Sequence, residues 1–467
     1  GRPAISPSFL ACVTLLQFRE HMSDTEAAQA VIRRLDWKIA LHLPVGQSTS
    51  FDPSTLVYFR RRLKENGKMR LIFDKTIEIA KSLKLIKKRA NQRVDATHVV
   101  SHVNRIATTD LLFRAVKCLA EEVEKKAREF YEAELPEYLR ERYENRFSSF
   151  GMSKEKRADR MAEIVEDGRL LASIIREDLS ERIEEFEQLP IMETIFEENV
   201  VVTEKSVDDK VVLEVEEITR PKQTIFDPRD TSIQLGRKGK TSWVGSKCHI
   251  VETALAGKIN YITNMIYQTA HRHDRGVHEQ IRTENQRLDL HPPKLFADTN
   301  YVSGEAIKNS RDTGTELMGY VSGVSSKREK EFLPDAFKID MQNLTAVCPA
   351  GHRNRSARID GLRGDRTFTF DPQTCQSCGF FDRCVRSTSK KTKSRKLLVH
   401  EHYEYVRERR KQQKKAGFKK QMRVRAQVEG TISEATRFHG LRFARYRGEP
   451  GHELQFYLTG AAINMKR

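Results

Sequence analysis

Residues 92–103 alternate polar and apolar side chains through RVDATHVVSHV, and from about 110 to 200 that two-residue period disappears. The long stretch that replaces it is Glu-rich, with apolar residues at helical spacing, as in LLFRAVKCLAEEVEKKAREFYEAEL. Strand-like runs then resume in SWVGSKCHIVETA, KINYITNMIYQ, KLFADTNYV and ELMGYVSG, the first two joined by a short turn at Ala256-Gly257. A helix is expected at SGEAIKNSRDTG. The helical stretch is read as an insertion into an α/β core, with Pro136 and residues 148–151 as breaks.

The order strand, insertion, three strands, helix, strand, second insertion, helix is that of an RNase H-like mixed-sheet core. The expected division is a helical N-terminal DNA-binding and assembly domain at 1–90, the first part of the core at 91–109 and a helical insertion at 110–220. The second part of the core follows at 221–324, then a Cys-rich insertion at 325–395 and a basic helix with the C-terminal part of the core at 396–467. In the N-terminal region Ser23 and Glu26 of SDTEAAQAVIRRL form a capping box, and Asp52-Pro53 opens a helix over STLVYFRRRLKENG. Arg60, Arg61 and Arg62 on that helix can lie along DNA, or stay solvated while Leu56, Phe59 and Leu63 pack inward.

Three acidic residues stand where the core would bring them together: Asp95 on the first strand, Asp298 at the end of KLFA, and Glu429 on the late helix RVRAQVEGTISEATR. Carboxylates fixed at neighbouring strand ends, joined by one from a helix, can share hard cations such as Mg²⁺ or Mn²⁺ in a two-metal site for phosphodiester chemistry. Arg425 lies one helical turn before Glu429 and offers a phosphate contact on the same face. Glu434 competes with Glu429, but five residues turn it by roughly 140° from that face. Asp227 and Asp230 in FDPRDTS are reserve ligands or turn residues, and His273 and Asp274 in TAHRHDRG can assist at the site or cap a loop.

The net charge of +18 is concentrated between residues 385 and 425, where sixteen Lys/Arg meet three Glu. A block of that kind is a polyanion contact or a solvated helix face, and its place just before Glu429 favours DNA. Of seven cysteines, Cys12, Cys118 and Cys248 stand singly and are expected to be buried thiols. Cys348, Cys375, Cys378 and Cys384 cluster in CPAGH and CQSCGFFDRC, a thiolate set for one structural Zn²⁺ or four reduced thiols. No run is long and apolar enough to span a membrane and nothing resembles a signal peptide, so the expectation is a cytoplasmic protein.

These motifs, together with FDPSTLVYFRRRL near the start, resemble the DDE transposases of bacterial insertion sequences over most of the chain. VDATHV is similar to that family's first-Asp strand, ADTNYVSGEA to its second-Asp motif and VEGTISEATRFHGLRFARYRG to its Glu motif. The cysteine segments are similar to an insert found in one branch. The resemblance implies that Asp95, Asp298 and Glu429 are the metal-binding catalytic triad. It also implies that the partners are double-stranded DNA, as terminal inverted repeats and target, within a homo-oligomer on DNA. In related branches the Glu helix carries a Tyr-Arg-Glu-Lys pattern; here Arg425 takes the Arg place, Met422 the Tyr place and Thr436, with Arg437 beside it, the Lys place. Arg425 and Arg437 are accordingly expected to contact DNA. Two other functions fit the same residues: a catalytically inactive, transposase-derived DNA-binding protein, and a metal-dependent nuclease without strand transfer.

Overall fold

The computed structural model describes residues 5–46, 50–103, 106–207, 210–219, 222–239, 241–323, 330–361, 364–385 and 394–467. Its centre is a six-stranded mixed sheet of β1 (Gln92–Val100), β2 (Gln234–Lys238), β3 (Thr241–Thr253), β4 (Ile262–Thr269), β5 (Lys294–Phe296) and β6 (Glu316–Met318). Side by side the strands run β4–β3–β1–β5–β6, with β2 paired to the Thr241–Gly245 end of β3. β3 is antiparallel to both β1 and β4, whereas β5 and β6 run parallel to β1 and to each other. The expected α/β class and the strand order through β1, β3, β4, β5 and β6 are thus present. β2 and the short polar helix His278–Arg287 are additions to the expected order.

Period-two alternation gives the sheet two faces with different partners. Val94 and Ala96 face a cluster that includes Ile281, Tyr301, Ile307 and Leu317. Arg93, Asp95 and Thr97 face the other way, as do Cys248, Ile250 and Glu252 across the β1–β3 register. On that second side lies the helix Glu449–Lys466, whose Leu454–Asn464 stretch is buried throughout between the sheet and the helices Pro7–Arg19 and Leu71–Ser82. Gly460 permits the approach, because a Cβ there would stand 2.6 Å from Met265 Sδ and 2.8 Å from the Phe73 ring.

The N-terminal helices are tied to the last part of the chain by specific polar contacts. The Arg60 guanidinium is buried, donates to both oxygens of Asp24 and stacks on Tyr446. Arg445 donates to the Met22 carbonyl, and His439 Nδ1 lies 3.0 Å from the Phe18 carbonyl. The expected capping box at Ser23 and Glu26 is formed in full.

Among the described residues, besides the core of the N-terminal helices, two further hydrophobic cores stand apart from the sheet. One draws its buried side chains only from residues between Leu111 and Val215. It is not wholly helical, since Val200–Val207 and Lys210–Glu217 form an antiparallel hairpin beside the helices. The other collects Phe337, Phe368, Phe370, Leu397 and Tyr403 around a three-stranded sheet. Its third strand, Lys396–His400, was expected to begin a long basic helix. In the structure that segment pairs with Asp365–Thr369, and separate helices follow at Tyr403–Gln412 and Ala416–Met422.

Candidate active site

Asp95 sits in the middle of β1, opposite Ile250 of β3, so its carboxylate is placed by a strand paired on both sides. β5 runs parallel to β1 with Gln92 opposite Leu295 and Arg93 opposite Phe296. Continued by two residues, that register brings Asp298 level with Asp95. Asp298 caps the turn Thr299–Tyr301, its Oδ1 accepting from the Asn300 N–H at 2.6 Å. The turn is anchored by the buried Tyr301, whose Oη lies 2.6 Å from His249 Nδ1. Burial holds the His249 imidazole down to about 4, so it is neutral and acts as a fixed polar support.

Glu429 opens the helix Val428–Arg437, just after the 3₁₀ turn Arg423–Gln427 that carries Arg425. The Arg425 guanidinium bridges two of the acids, with Nη1 3.0 Å from Asp95 Oδ2 and Nη2 3.1 Å from Glu429 Oε1. The Asp95 side chain is only 15% exposed and that of Glu429 is 63% exposed. Burial pushes the Asp95 carboxyl above its usual range, and the charge of Asp298 pushes it the same way. The Ala96 N–H, Arg425 and Lys238 of β2 pull it down without cancelling that rise. Burial leads that rise, and the donors of the three acids are hard carboxylate oxygens of the kind that suit Mg²⁺ or Mn²⁺. Among the described residues no group of three His, Cys, Asp or Glu side chains is arranged to hold a metal ion. Arg425 lies between two of the acids instead.

Glu434 points elsewhere. It contacts Lys466 and Arg467 of the last helix, which leaves Glu429 as the acid of its helix nearest Asp95. Asp227 and Asp230 are buried turn residues: Asp227 Oδ1 accepts from the Arg229 N–H, while Asp230 accepts from Ser232 and Gly448. Asp274 pairs with Lys247.

The DNA-contact expectations divide. Arg60 is withdrawn into its ion pair with Asp24, so that residue is corrected from a DNA contact to a structural cation. Arg61 and Arg62 are exposed, Arg61 stacking on Tyr58, and Arg437 is exposed at the end of the Glu429 helix. In the basic block Lys414, Lys415, Lys419, Lys420 and Arg423 are exposed on the way to Arg425. Arg409, by contrast, is fully buried, donating to the Leu317 and Gly319 carbonyls. Residues 386–393 of the block lie outside the described residues.

Cys118 and Cys248 are buried as expected, but Cys12 is exposed. Cys348, Cys375, Cys378 and Cys384 all line one small cavity of about 40 Å³, walled by Phe332, Phe370, Phe380 and Phe381. None of the seven cysteines is in a disulfide.

The sequence reading missed the groups behind these acids. Arg93 donates from Nε to Glu252 Oε1 at 2.7 Å and from Nη1 to Gln427 Oε1 at 2.6 Å and the Val424 carbonyl at 3.0 Å. Thr431 donates to Glu252 Oε2 at 2.7 Å. Opposite charges on facing strands were the available signal, visible only once the β1–β3 register is known.

With this geometry in view, comparison with known families finds two matches. Residues 1–62 match a family described as Transposase domain (DUF772), and residues 347–467, which include Glu429, match one described as Transposase DDE domain. Both descriptions are of transposase domains, and the two matches, one at each end of the chain, support an insertion-sequence DDE transposase. Searches of curated proteins and of solved structures gave no match. Among the described residues no helix is long and apolar enough to cross a membrane.

Proposed function

We propose that this transposase cleaves DNA at the ends of its element and joins the freed 3′ ends to target DNA, using divalent metal held by Asp95, Asp298 and Glu429. The observation that carries the reading is the bridge Asp95–Arg425–Glu429, with the Asp298 charge acting on Asp95. Asp95 is linked to Glu429 through Arg425 and feels the charge of Asp298, which supports reading the three acids as one site. The strand order β4–β3–β1–β5–β6, antiparallel on one side of β1 and parallel on the other, supports an RNase H-like core interrupted by the two insertions.

Bound Mg²⁺ or Mn²⁺ would supply Lewis acidity toward the attacking and leaving oxygens of the scissile phosphodiester. The residues of the chain do the rest. Asp95 and Asp298 offer carboxylates fixed by strand and turn, and Glu429 offers one from an exposed helix end able to adjust to DNA. Arg425 neutralises the acids before loading and is placed to transfer its guanidinium to a flanking phosphate afterwards. The exposed run Lys414, Lys415, Lys419, Lys420 and Arg423, with Arg61, Arg62 and Arg437, contacts the phosphate backbone and makes binding salt-dependent. The reaction is carried out by an oligomer assembled on two element ends, the helices of 1–90 contributing to end binding and assembly. A structural Zn²⁺ on Cys348, Cys375, Cys378 and Cys384 is proposed from their number and spacing and from their lining one cavity; the four side chains would have to draw together to bind it.

The test is incubation of the full chain with linear DNA carrying its element ends, with Mg²⁺ or with EDTA, resolving nicked and joined products. Joined products from the wild type, abolished by EDTA and by D95N, D298N or E429Q with DNA binding retained, are expected. Binding without any strand breakage would refute the proposal, and breakage without joining would reduce it to a nuclease.

A further inference from the structure

Arg93 and Glu252 face one another across the β1–β3 register and are 3% and 0% exposed. Burying such a pair costs desolvation of both ions, so the pair by itself is weak evidence of a stabilising role. The remaining valences of the pair are more informative. Both hydrogen bonds of Arg93 Nη1, and one accepted by Glu252, go to the segment that carries Glu429. Arg93 Nη1 holds the Val424 carbonyl and Gln427 Oε1, and Glu252 Oε2 accepts from Thr431 Oγ1. Arg467 Nη1 lies 3.0 Å from the same Glu252 oxygen, and its Nη2 lies 2.7 Å from Thr431 Oγ1.

The spacing along the segment gives these contacts their meaning. Thr431 is two residues after Glu429, about 200° around a helix, so a Thr431 anchored to the sheet turns Glu429 outward. Val424 and Gln427 flank Arg425, so their anchorage fixes where its guanidinium meets Asp95. Arg93 and Asp95 are two residues apart on one strand and project from the same face. One rigid strand therefore presents the first acid and holds the element bearing the third.

We propose that Arg93 and Glu252 are positioning residues that set the height and rotation of the 423–437 segment, through Val424, Gln427 and Thr431, and so the distance of Glu429 from Asp95. This rests on the reading of Asp95, Asp298 and Glu429 as metal ligands. It goes beyond that reading by assigning a role to a buried pair that touches neither DNA nor metal.

The test uses T431V, which keeps the shape of the side chain and leaves the Arg93–Glu252 pair intact, beside T431S and R93K in the full chain. Three quantities are read: Mn²⁺ binding by electron paramagnetic resonance, hydrogen–deuterium exchange across 423–437, and DNA affinity in EDTA. T431V and R93K are expected to weaken Mn²⁺ binding about 10- to 100-fold, as loss of a group supporting a metal ligand does. Exchange should rise in 423–437 and not in β1, DNA affinity should stay within about twofold, and T431S should restore both altered quantities. Wild-type Mn²⁺ binding and exchange in T431V would overturn the proposal. If D95N leaves Mn²⁺ binding unchanged, the metal-ligand reading fails separately, and the exchange measurement still decides the positioning role.

Discussion

Asp95 is a charge this fold holds at a cost, and removing it in the absence of metal should make the protein more stable. Its carboxylate is 15% exposed, and an ion so placed loses several kcal/mol of hydration. The guanidinium of Arg425, at 3.0 Å, returns on the order of 5 kcal/mol at an effective dielectric of about 20. Asp298 repels what remains, and the carboxyl stays above its ordinary range. The sign follows from linkage. A group whose folded value is raised favours folding while protonated, and that advantage disappears as pH climbs through the folded value. D95N keeps a neutral group at every pH. In EDTA at pH 8 it should therefore exceed the wild type by roughly 1–2 kcal/mol, the small residue of those opposing terms. That corresponds to about 1–2 °C in melting temperature, since about 2.1 cal/mol/K per residue over 467 residues gives about 1 °C per kcal/mol. Below about pH 4, near the unfolded carboxyl value, the two proteins should melt together. Calorimetric melts at pH 8 and pH 4 check this, and Mg²⁺ added at pH 8 should raise the wild type and leave D95N unmoved. A D95N protein that melts at or below the wild type at pH 8 in EDTA would refute the reasoning.

Gly440 follows the Glu429 helix with φ +67°, and a Cβ there would meet the His21 imidazole at 1.9 Å. G440A should cost about 1–2 kcal/mol from the backbone conformation alone and more from the overlap; urea unfolding of G440A beside H21A/G440A separates the two, since only the overlap is relieved in the double variant. C375S should lose the single Zn²⁺ per chain proposed for the second insertion, measured by elemental analysis of the metal-free-buffer protein, and wild-type protein containing no zinc would end that proposal.

What could be read from the sequence was what is local. β1, the β3–β4 turn, the capping box at Ser23 and the Asp298 turn each announce themselves within about ten residues through alternation, Gly, or a capping side chain. Arg60 was misread because three successive arginines look alike, while the helix buries one and exposes two. The helix His278–Arg287 buries only Ile281 and carries almost no apolar period. Lys396–His400 was absorbed into the basic run that surrounds it, although its Leu397 and Val399 alternate into the core of the second insertion. The hairpin Val200–Glu217 did carry an alternating pattern, and it was overshadowed by the helical spacing before it. Arg93 and Glu252 were beyond reach for a different reason: on a strand, a buried charge and a solvated one give the same alternation, and only the register distinguishes them.

The contact between Asp95 and Arg425 spans 330 residues of chain. β1 is also closed at its far end by late residues, the Val100 N–H donating to the Arg442 carbonyl and the Ala444 N–H to the Val100 carbonyl. At about 5–20 residues per second of synthesis, the strand bearing the first acid waits roughly 15–70 seconds for the segment that completes the site. Through that interval the nascent chain carries an unfinished sheet, while the segments 111–215 and 337–403 each have a hydrophobic core of their own. On the proposed reading, competence to cut therefore waits until the segment bearing Arg425 and Glu429 has been made and has docked on β1.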